Sequence, residues 1–467
     1  MDPATATTVT SARAAAGTAA SPADLTGPAE LAGPAESAGP VDVSTPVVVL
    51  KLDPNVMHHG GLGAIRSLGR MGVPVYAVQE SAWAPAGHSR YLHGKVLWRP
   101  AGLPASQIQA GLIRLAELIG RPAVLIPTDD AGAIFLAERS EALRGRFLFA
   151  APPASLPRQL AAKHSLHTLC ADIGFPSPRS CLASSLHQAT HVAAGYGYPV
   201  VGKLARPWQS GPGQLSTRLL RDPGDVHAAW HAAEGGRAGL VLQEYIPAPP
   251  GHDWFFHGYA AESGDCRPAC TGVKDRSYPA RTGLTSFGRC VPNPALIASV
   301  TDLLTRLSYR GIADLDLRLD DRDGQYKLLD FNPRLGAQFR LFTAPGGLDV
   351  VRAAYLDLTG QPVPRSEPAP GRTFMVESYD PLTAISYWRN GELGLRSWLG
   401  ATAAVDETAW FARDDLRPFE LMCLRMGWRM VTRPIERARP AAGQHRRVVP
   451  ESARRPRLQP GRRARLS

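Results

Sequence analysis

The run LLDFNPRLG carries residue types that bind phosphates and metal ions, in a pattern typical of a β-strand. Leucine and phenylalanine alternate there with Asp330, Asn332 and Arg334, as expected when one strand face is buried and the other is polar. Just upstream, DLDLRLD repeats the alternation with Asp314 and Asp316. The turn sequence DDRDGQ between them predicts a hairpin, in which the two polar faces would be neighbours.

The polar face of this hairpin has ligands for a magnesium site. The oxygens of Asp316, Asp330 and Asn332 are hard and few, which suits Mg²⁺ because it keeps several waters and shares phosphate oxygens. Mn²⁺ is the alternative ion. Arg334 beside the metal would stabilise a phosphoryl group during its transfer. A merely solvated strand face is the other interpretation, and we favour the site because the acids alternate with apolar residues and end at Asn-Pro-Arg.

The segment GIADLDLRLDDRDGQYKLLDFNPRLG resembles the metal-binding hairpin of the ATP-grasp superfamily. In that superfamily an acid or amide of the first strand and an acid-x-Asn-Pro-Arg of the second hold Mg²⁺ against the phosphates of ATP. The resemblance implies that Asp316, Asp330 and Asn332 bind the metal and that Arg334 is catalytic. Asp330 departs from the usual Glu of the family, which is one methylene longer.

Other landmarks of the superfamily follow in the same order along the chain. The resemblance implies these nucleotide-binding residues: Lys163 and Lys203 at the phosphates, Ser210, Gly211 and Gly213 in a flexible loop over them, Gln243, Glu244, Tyr245 and Ile246 at the adenine, and Asp253 at the ribose. Pro212 departs from the family pattern, because it stiffens a loop that is usually free.

The chain is also similar to a group of predicted carboxylate-amine ligases within the superfamily, through NVMHHGGLGAIRSLGRMGVPVYAV and SRYLHGK. In that group a loop with a Lys, an Arg and a later Gly precedes the metal hairpin. The candidates in the polar stretch TGVKDRSYPARTGLTSFGR, which we predict to be a long loop, are Lys274, Arg276, Arg281 and Gly283. The first two are assigned to catalysis. With Arg289, these cations suit a carboxylate or an acyl phosphate, and a solvated loop is the alternative.

The elements that must position these residues predict a mixed α/β and α+β architecture. Strand and helix patterns alternate over 46–152, which indicates an open parallel sheet. The resemblance makes this a pre-ATP-grasp domain, followed by a two-lobed ATP-grasp domain over 153–362. Its nucleotide cleft would lie between about 155–240 and 241–362. Residues 372–434 are predicted to form a small C-terminal appendage.

Both ends of the chain differ in composition from its body. Residues 1–45 are rich in Ala, Pro, Gly, Thr and Ser, which predicts a disordered leader without the pattern of a signal peptide. Much of the net charge of +11 lies in 435–467, where ten Arg face two Glu. We predict a basic disordered tail there, either solvated or bound to a polyanion, and we expect no other nucleic-acid contact.

The composition also limits where the protein acts. No apolar run approaches the roughly 18–20 residues of a membrane span, so we expect no membrane contact and a cytoplasmic location. The six Cys are scattered, which favours reduced thiols over a disulfide framework or a zinc site.

These patterns together favour an ATP- and Mg²⁺-dependent ligase. The resemblance implies that a small-molecule carboxylate is phosphorylated by ATP and that an amine then displaces phosphate. Three alternatives stay open: a kinase that releases its phosphorylated product, a non-catalytic nucleotide-binding protein, and a nicotinamide enzyme using the partial glycine fingerprint at His58 to Gly63. No Walker A or G-x-S-x-G sequence is present. The sequence identifies neither the substrates nor the oligomeric state.

Overall fold

The computed structural model describes residues 40–209, 217–233, 238–280, 283–438 and 455–461. These residues form three β-sheets with helices packed against them. No helix in this part of the chain is long and apolar enough to cross a membrane.

The first sheet occupies the region predicted as an open parallel sheet. Its elements in chain order are β1 (Val47–Leu50), α1 (His59–Met71), β2 (Val75–Gln79), β3 (Leu92–Leu97), α2 (Ala105–Ile119), β4 (Ala123–Pro127), α3 (Asp130–Glu138), α4 (Ser140–Leu143) and β5 (Phe147–Leu148). The strands run parallel in the order β3-β2-β1-β4-β5. β1 is central and wholly buried, because a parallel strand covered on both faces is apolar throughout.

The second sheet has four antiparallel strands in the order β6-β9-β7-β8. Its region comprises α5 (Leu156–Ala161), α6 (Lys163–Ile173), β6 (Ser180–Ala183), α7 (Leu186–Tyr196), β7 (Val200–Leu204), β8 (Thr217–Leu220), α8 (Pro223–Ala232) and β9 (Leu240–Glu244). The loop between β7 and β8, where Ser210, Gly211 and Gly213 were predicted to cover the phosphates, lies outside the described residues.

The third sheet contains the predicted hairpin. Its region comprises β10 (Asp253–Ala260), β11 (Cys266–Tyr278), β12 (Leu284–Cys290), α9 (Pro294–Arg306), β13 (Gly311–Asp320), β14 (Gln325–Asn332) and α10 (Val350–Leu358). The antiparallel order β14-β13-β10-β11-β12 places β10 in the middle. The prediction of a long polar loop before α9 is wrong, because most of that stretch forms β11 and β12. Pairing with β10 satisfies the β11 backbone, and that contact leaves no local sequence signal.

The segment predicted as a small C-terminal appendage is part of the same compact unit as the sheets. It comprises β15 (Thr373–Met375), α11 (Asp380–Arg389), α12 (Leu395–Ala403), β16 (Glu407–Thr408) and α13 (Arg417–Ala438). β15 pairs with β12 and extends the third sheet. Phe374 and Trp410 are buried in one core with Leu62 of α1 and Phe339. The aromatic residues of this segment therefore complete a core that it shares with α1.

The prediction of a disordered tail is wrong for one short segment. Residues Arg457–Pro460 form β17, which pairs antiparallel with β3 at the edge of the first sheet. Leu458 lies opposite Val96 and packs against the core of that sheet. The pairing satisfies backbone groups that an open edge strand would leave exposed.

A buried ion pair joins α1 to the C-terminal segment. The Arg66 guanidinium lies 3.0 Å from the Asp415 carboxylate, and the two side chains are only 1% and 2% exposed. Asp415 also accepts hydrogen bonds from the Ser89 hydroxyl and the Arg90 backbone. The C-terminal segment is therefore tied to the first sheet by charge as well as by apolar packing.

Replacing Asp415 by Ala is expected to lower the free energy of unfolding by about 3–5 kcal/mol, because Arg66 would stay buried without its counter-ion. Chemical denaturation measures this change. Asp414→Ala is the control: its partner Arg70 and Asp414 itself are 28% and 40% exposed, and such pairs contribute about 1 kcal/mol or less. Similar losses in the two variants would contradict the role of the buried pair.

Candidate active site

The hairpin of β13 and β14 brings the predicted acidic residues face to face. Asp316 lies opposite Asp330, and Asp314 lies opposite Asn332. Residues paired in this way on adjacent strands present their side chains on one face of the sheet. The four polar side chains therefore form a single patch, as the sequence predicts.

A β-bulge sets which side chains of β14 enter that patch. The register shifts after the Asp330 pair, so that Leu329 has no partner on β13. Leu328 and Phe331 are both fully buried although they are three residues apart, because the extra residue restores them to the same face. Asp330 and the carbonyl of Leu329 are left on the polar side, where the carbonyl accepts a hydrogen bond.

Two lysines from the second sheet region reach the same carboxylate. The ammonium groups of Lys163 and Lys203 lie 3.1 and 2.9 Å from Oδ1 of Asp330. Lys203 also donates to the Leu329 carbonyl at 2.9 Å. Burial alone would raise the pKa of Asp330, but the two ammonium groups outweigh it and hold that pKa well below its usual range. The cluster keeps a surplus of positive charge, which suits an anionic ligand.

Lys274 approaches the hairpin from β11. Its ammonium group lies 2.7 Å from Oδ1 of Asp316, and although burial works against the charged form, Asp316 raises the pKa of Lys274. Arg281 lies outside the described residues, whereas Gly283 lines the cleft beside this cluster. Lys274 thus contacts Asp316, one of the residues that the resemblance assigns to the metal.

Arg276 is not brought to that cluster, contrary to the prediction. The register between β11 and β12 shifts just after Lys274, so the regular alternation of side chains is interrupted before Arg276. The Arg276 guanidinium binds both oxygens of Asp380 at 2.8 and 2.9 Å, and Asp380 is fully buried. A regular strand would have placed residues 274 and 276 on one face, which is why the sequence grouped them.

Asp314 holds Arg334 and Asn332 in place. Its Oδ2 accepts from the Arg334 guanidinium at 3.1 Å and from the Asn332 amide at 3.2 Å, while the His257 ring lies 3.2 Å from Oδ1. Burial raises the pKa of Asp314 to about 7, although Arg334 works in the opposite direction. Arg334 also lies 3.3 Å from Asp130. The sequence showed Asp314 on the polar strand face, yet we gave it no role there.

The donor set fits a divalent ion that takes few protein ligands. Among the described residues, no group of three or more His, Cys, Asp and Glu forms a ready metal cage. Asp316 and Asp330 are paired across the hairpin, and the Asn332 amide nitrogen donates to Asp314, which leaves its oxygen as the free acceptor. Two carboxylates and an amide oxygen suit Mg²⁺, which completes its shell with water and phosphate oxygens.

Asp316, Asp330, Lys203 and Lys274 line one cleft between the second and third sheets, with a volume of ≈350 Å³. Lys203 of β7 and Thr217 of β8 form one wall, and Asp316 and Asp330 form the other. The cleft is therefore positively charged at the lysines and negatively charged at the carboxylates of the hairpin.

Comparison with curated proteins finds two distant relatives. No protein-family model matches the chain. The chain is 22% identical over 240 residues to the D-aspartate ligase of Enterococcus faecium, covering 49% of this chain and 57% of the relative. It is 33% identical over 186 residues to the formate-dependent phosphoribosylglycinamide formyltransferase of Bordetella avium, covering 38% and 41%. The chain thus spans about half the length of the curated relatives it matches.

Solved structures of nucleotide complexes share the architecture. An N5-carboxyaminoimidazole ribonucleotide synthetase with ADP superposes with a TM-score of 0.53 at 13% identity, over 71% of this chain and 80% of that one. The biotin carboxylase domain of Hydrogenobacter thermophilus 2-oxoglutarate carboxylase, with MgADP, ADP and bicarbonate, gives 0.51 at 16% identity, over 71% and 74%. The chain has the ATP-grasp fold. The resemblance seen in the sequence and the predicted fold class are therefore confirmed.

The far end of the ATP-grasp cleft holds the residues predicted at the adenine. Gln243, Glu244 and Ile246 line it, whereas Tyr245 lies under the Arg318 guanidinium at 5.9 Å. Glu244 is bound by Arg179 at 2.6 Å. The sequence missed both arginines, because neither stands in a pattern with the residue that it contacts.

Asp253, predicted at the ribose, also lines the ATP-grasp cleft. Arg318 donates to its carboxylate at 2.7 Å and to the Ile246 carbonyl at 2.8 Å. On the other side of the cleft, the Gln243 amide lies 2.6 Å from the His167 ring and 3.2 Å from the Ser180 hydroxyl. Each of these polar side chains is held in a fixed orientation.

The glycine turn that could have bound a dinucleotide has a packing role in this ATP-grasp chain. His58 caps α1, its ring accepting from the Gly61 amide at 3.1 Å. A Cβ on Gly63 would lie 2.8 Å from the Phe339 ring, so this glycine permits close packing against the chain after the hairpin. Arg66, at the third glycine position, is the buried partner of Asp415. These contacts explain the partial fingerprint without a nicotinamide.

Gly336→Ala tests whether the Asp314 cluster must keep its geometry. A Cβ at Gly336 would lie 2.1 Å from Cε1 of His257 and 2.7 Å from Cγ of Asp314, and both neighbours are buried. The added Cβ would displace His257 and Asp314. Arg334, which is bound to Asp314, would move with it. We expect turnover to fall about 10²-fold, the usual cost of misplacing catalytic groups by about 1 Å, as measured by steady-state ADP release.

The control is Gly195→Ala in α7, where an added Cβ meets nothing within 4 Å. We expect this variant to keep the parent's turnover. Equal turnover in the Gly336 and Gly195 variants would show that the packing around Asp314 has no bearing on catalysis.

Proposed function

We propose that the protein is an ATP- and Mg²⁺-dependent ligase that activates a carboxylate as an acyl phosphate and joins it to an amine. The observation that carries this proposal is the convergence of three lysines on two carboxylates: Lys163 and Lys203 contact Asp330, and Lys274 contacts Asp316. Lys203, Lys274 and both carboxylates line one cleft. Donor and acceptor in such a reaction are both anions, so their approach needs several fixed cations.

We assign a role to each group of site residues from its position. Lys163 and Lys203 would bind phosphates of ATP, and the predicted loop with Ser210, Gly211 and Gly213 would cover them. Gln243, Glu244, Tyr245 and Ile246 would contact the adenine, and Asp253 the ribose. Asp316, Asp330 and Asn332 would hold Mg²⁺, with Mn²⁺ as the alternative. Bound there, the metal supplies positive charge between the phosphates.

The reaction has two steps. A carboxylate oxygen attacks the γ-phosphorus, the new O–P bond forms, and the bond to ADP breaks. The amine nitrogen then attacks the acyl carbon, phosphate leaves, and the nitrogen loses a proton as the amide forms. Lys274 would orient the carboxylate, and Arg334 would offset charge on the transferring group. Arg276, bound to Asp380, acts on this site only through the packing of β11.

The relatives support the reaction class and not the substrates. One is named a D-aspartate ligase and the other a formate-dependent transferase, and each is matched over part of its length. Small-molecule acids and amines are therefore the proposed substrates, with the cytoplasm as the proposed location. Binding of a polyanion by the Arg-rich tail is a separate hypothesis.

An isotope experiment tests the proposal. The protein is incubated with ATP, Mg²⁺ and pairs of ¹⁸O-labelled carboxylates and amines, and ADP, phosphate and organic products are measured by mass spectrometry. A ligase transfers one ¹⁸O atom from the acid to phosphate and yields an amide. A phosphorylated product that accumulates without consuming amine would assign the protein as a kinase. Failure to bind MgATP, measured by calorimetry, would overturn both.

A further inference from the structure

One end of the cleft is built from aromatic and aliphatic side chains. Beyond Lys274 the cleft is lined by Tyr278, Leu284 and Tyr379, which we call the aromatic end. These residues come from β11, β12 and the residue before α11, so three separate stretches of chain form this surface.

The aromatic end is held rigidly. The Tyr278 and Tyr379 rings are stacked in parallel, with centroids 5.4 Å apart and an interplanar angle of 4°. The His59 ring meets Tyr379 edge-on at 6.3 Å, and Trp410 lies 6.1 Å from His59 on the other side. His59 and Trp410 are buried, so the tyrosine pair is fixed from behind by packed groups. Because the tyrosines are already fixed, binding a flat ring against them would cost little conformational entropy of the protein.

The described side chains of the aromatic end, Tyr278, Leu284 and Tyr379, carry no charge of their own. Within the described lining of the cleft, each charged side chain has an ionic partner: Lys203 with Asp330, Lys274 with Asp316, Arg318 with Asp253, and Glu244 with Arg179. Leu284 is 63% exposed, which is unusual for a leucine inside a binding cleft. A ligand that covers Leu284 gains free energy by removing apolar surface from water.

We propose that the acid substrate carries an aromatic ring, which stacks against the aromatic end while its carboxylate faces Lys274. This inference rests on the proposed ligase function and names its substrate class. Tyr278 follows Lys274 by four residues on the bulged strand β11, and both side chains line the cleft.

A hydroxylamine trap tests the acid without knowledge of the amine. Hydroxylamine attacks the acyl phosphate, so each activated acid gives a hydroxamate, phosphate and ADP. The acids are compared in matched pairs, phenylacetate with acetate and 3-phenylpropanoate with propanoate, together with D-aspartate. We expect kcat/KM to be at least about tenfold higher for the aryl member of each pair, a typical gain from a filled apolar pocket. The difference should lie mainly in KM.

Variants then locate the preference. Tyr379→Leu and Leu284→Ser should each reduce the aryl-to-alkyl ratio about tenfold, whereas Tyr379→Phe should keep it, because the ring and not the hydroxyl does the stacking. Leu284 is exposed, so its variant folds even where the Tyr379 variant is unstable. Saturation-transfer NMR with 3-phenylpropanoate gives a binding readout that needs no turnover.

The outcomes separate the inference from the function on which it rests. Preference for D-aspartate or alkanoates, unchanged by Tyr379→Leu and Leu284→Ser, would overturn the aromatic end as a substrate site and leave the ligase standing. If no acid yields hydroxamate but the NMR ring signal weakens in Leu284→Ser, the site is supported and the ligase function falls. If the parent protein gives no ring signal, the inference falls.

Discussion

Asp330→Asn is expected to lower ADP release by about 10³-fold, which corresponds to the several kcal/mol that a metal supplies in the transition state. The substitution removes one proposed ligand of Mg²⁺. It also removes a carboxylate that lies within 3.1 Å of both Lys163 and Lys203. A coupled assay with saturating MgATP and an active acid measures the change.

The same variant should also be less stable, because the ammonium group of buried Lys203 loses its counter-ion. We expect the free energy of unfolding to fall by about 3 kcal/mol, with unchanged secondary structure in circular dichroism below the melting temperature. Asp321→Asn is the matched control, since it makes the same change in the same hairpin at a side chain 65% exposed. ADP release near the parent level in the Asp330 variant would exclude the metal-binding role of the hairpin.

Arg334→Met is expected to lower kcat by about 10²–10³-fold, the usual loss when one group that stabilises developing charge is removed. KM for ATP should change much less, because the lysines and the adenine end of the cleft remain. Arg334→Lys should restore little. The guanidinium contacts Asp130 and Asp314 at once, at 3.3 and 3.1 Å, and a single ammonium group cannot reproduce that fork.

Arg267→Met provides the comparison for this prediction. Arg267 lies at the start of β11, is 46% exposed and pairs with Asp265 at the surface. Its loss should leave kcat and KM as they are. A variant of Arg334 that raises KM for ATP without lowering kcat would mean that this arginine binds the nucleotide and takes no part in phosphoryl transfer.

The parallel sheet and the hairpin of β13 and β14 were predictable because each has a regular local pattern of apolar residues. Alternating polar and apolar residues fix the face on which Asp316, Asp330 and Asn332 lie, and an Asp- and Gly-rich turn closes the hairpin. The order of Lys163 and Lys203 along the chain then matched a known superfamily, and both lysines meet Asp330.

The remainder was decided by contacts between distant parts of the chain. The register shift after Lys274 interrupts the alternation of side chains before Arg276, and a strict period of two cannot reveal that shift. The ion pair between Arg334 and Asp130 joins residues of two different sheet regions.

The C-terminal segment shows the same limit of local patterns. Trp410 and Tyr379 have no periodic partner near them in sequence, yet one completes the core beside α1 and the other closes the aromatic end. A residue's period reports which face of its own element it occupies. Its partner across the core is set by how all the elements pack. The sequence by itself therefore determined the β13–β14 hairpin and the order of the two lysines, and only the tertiary structure decided what surrounds them.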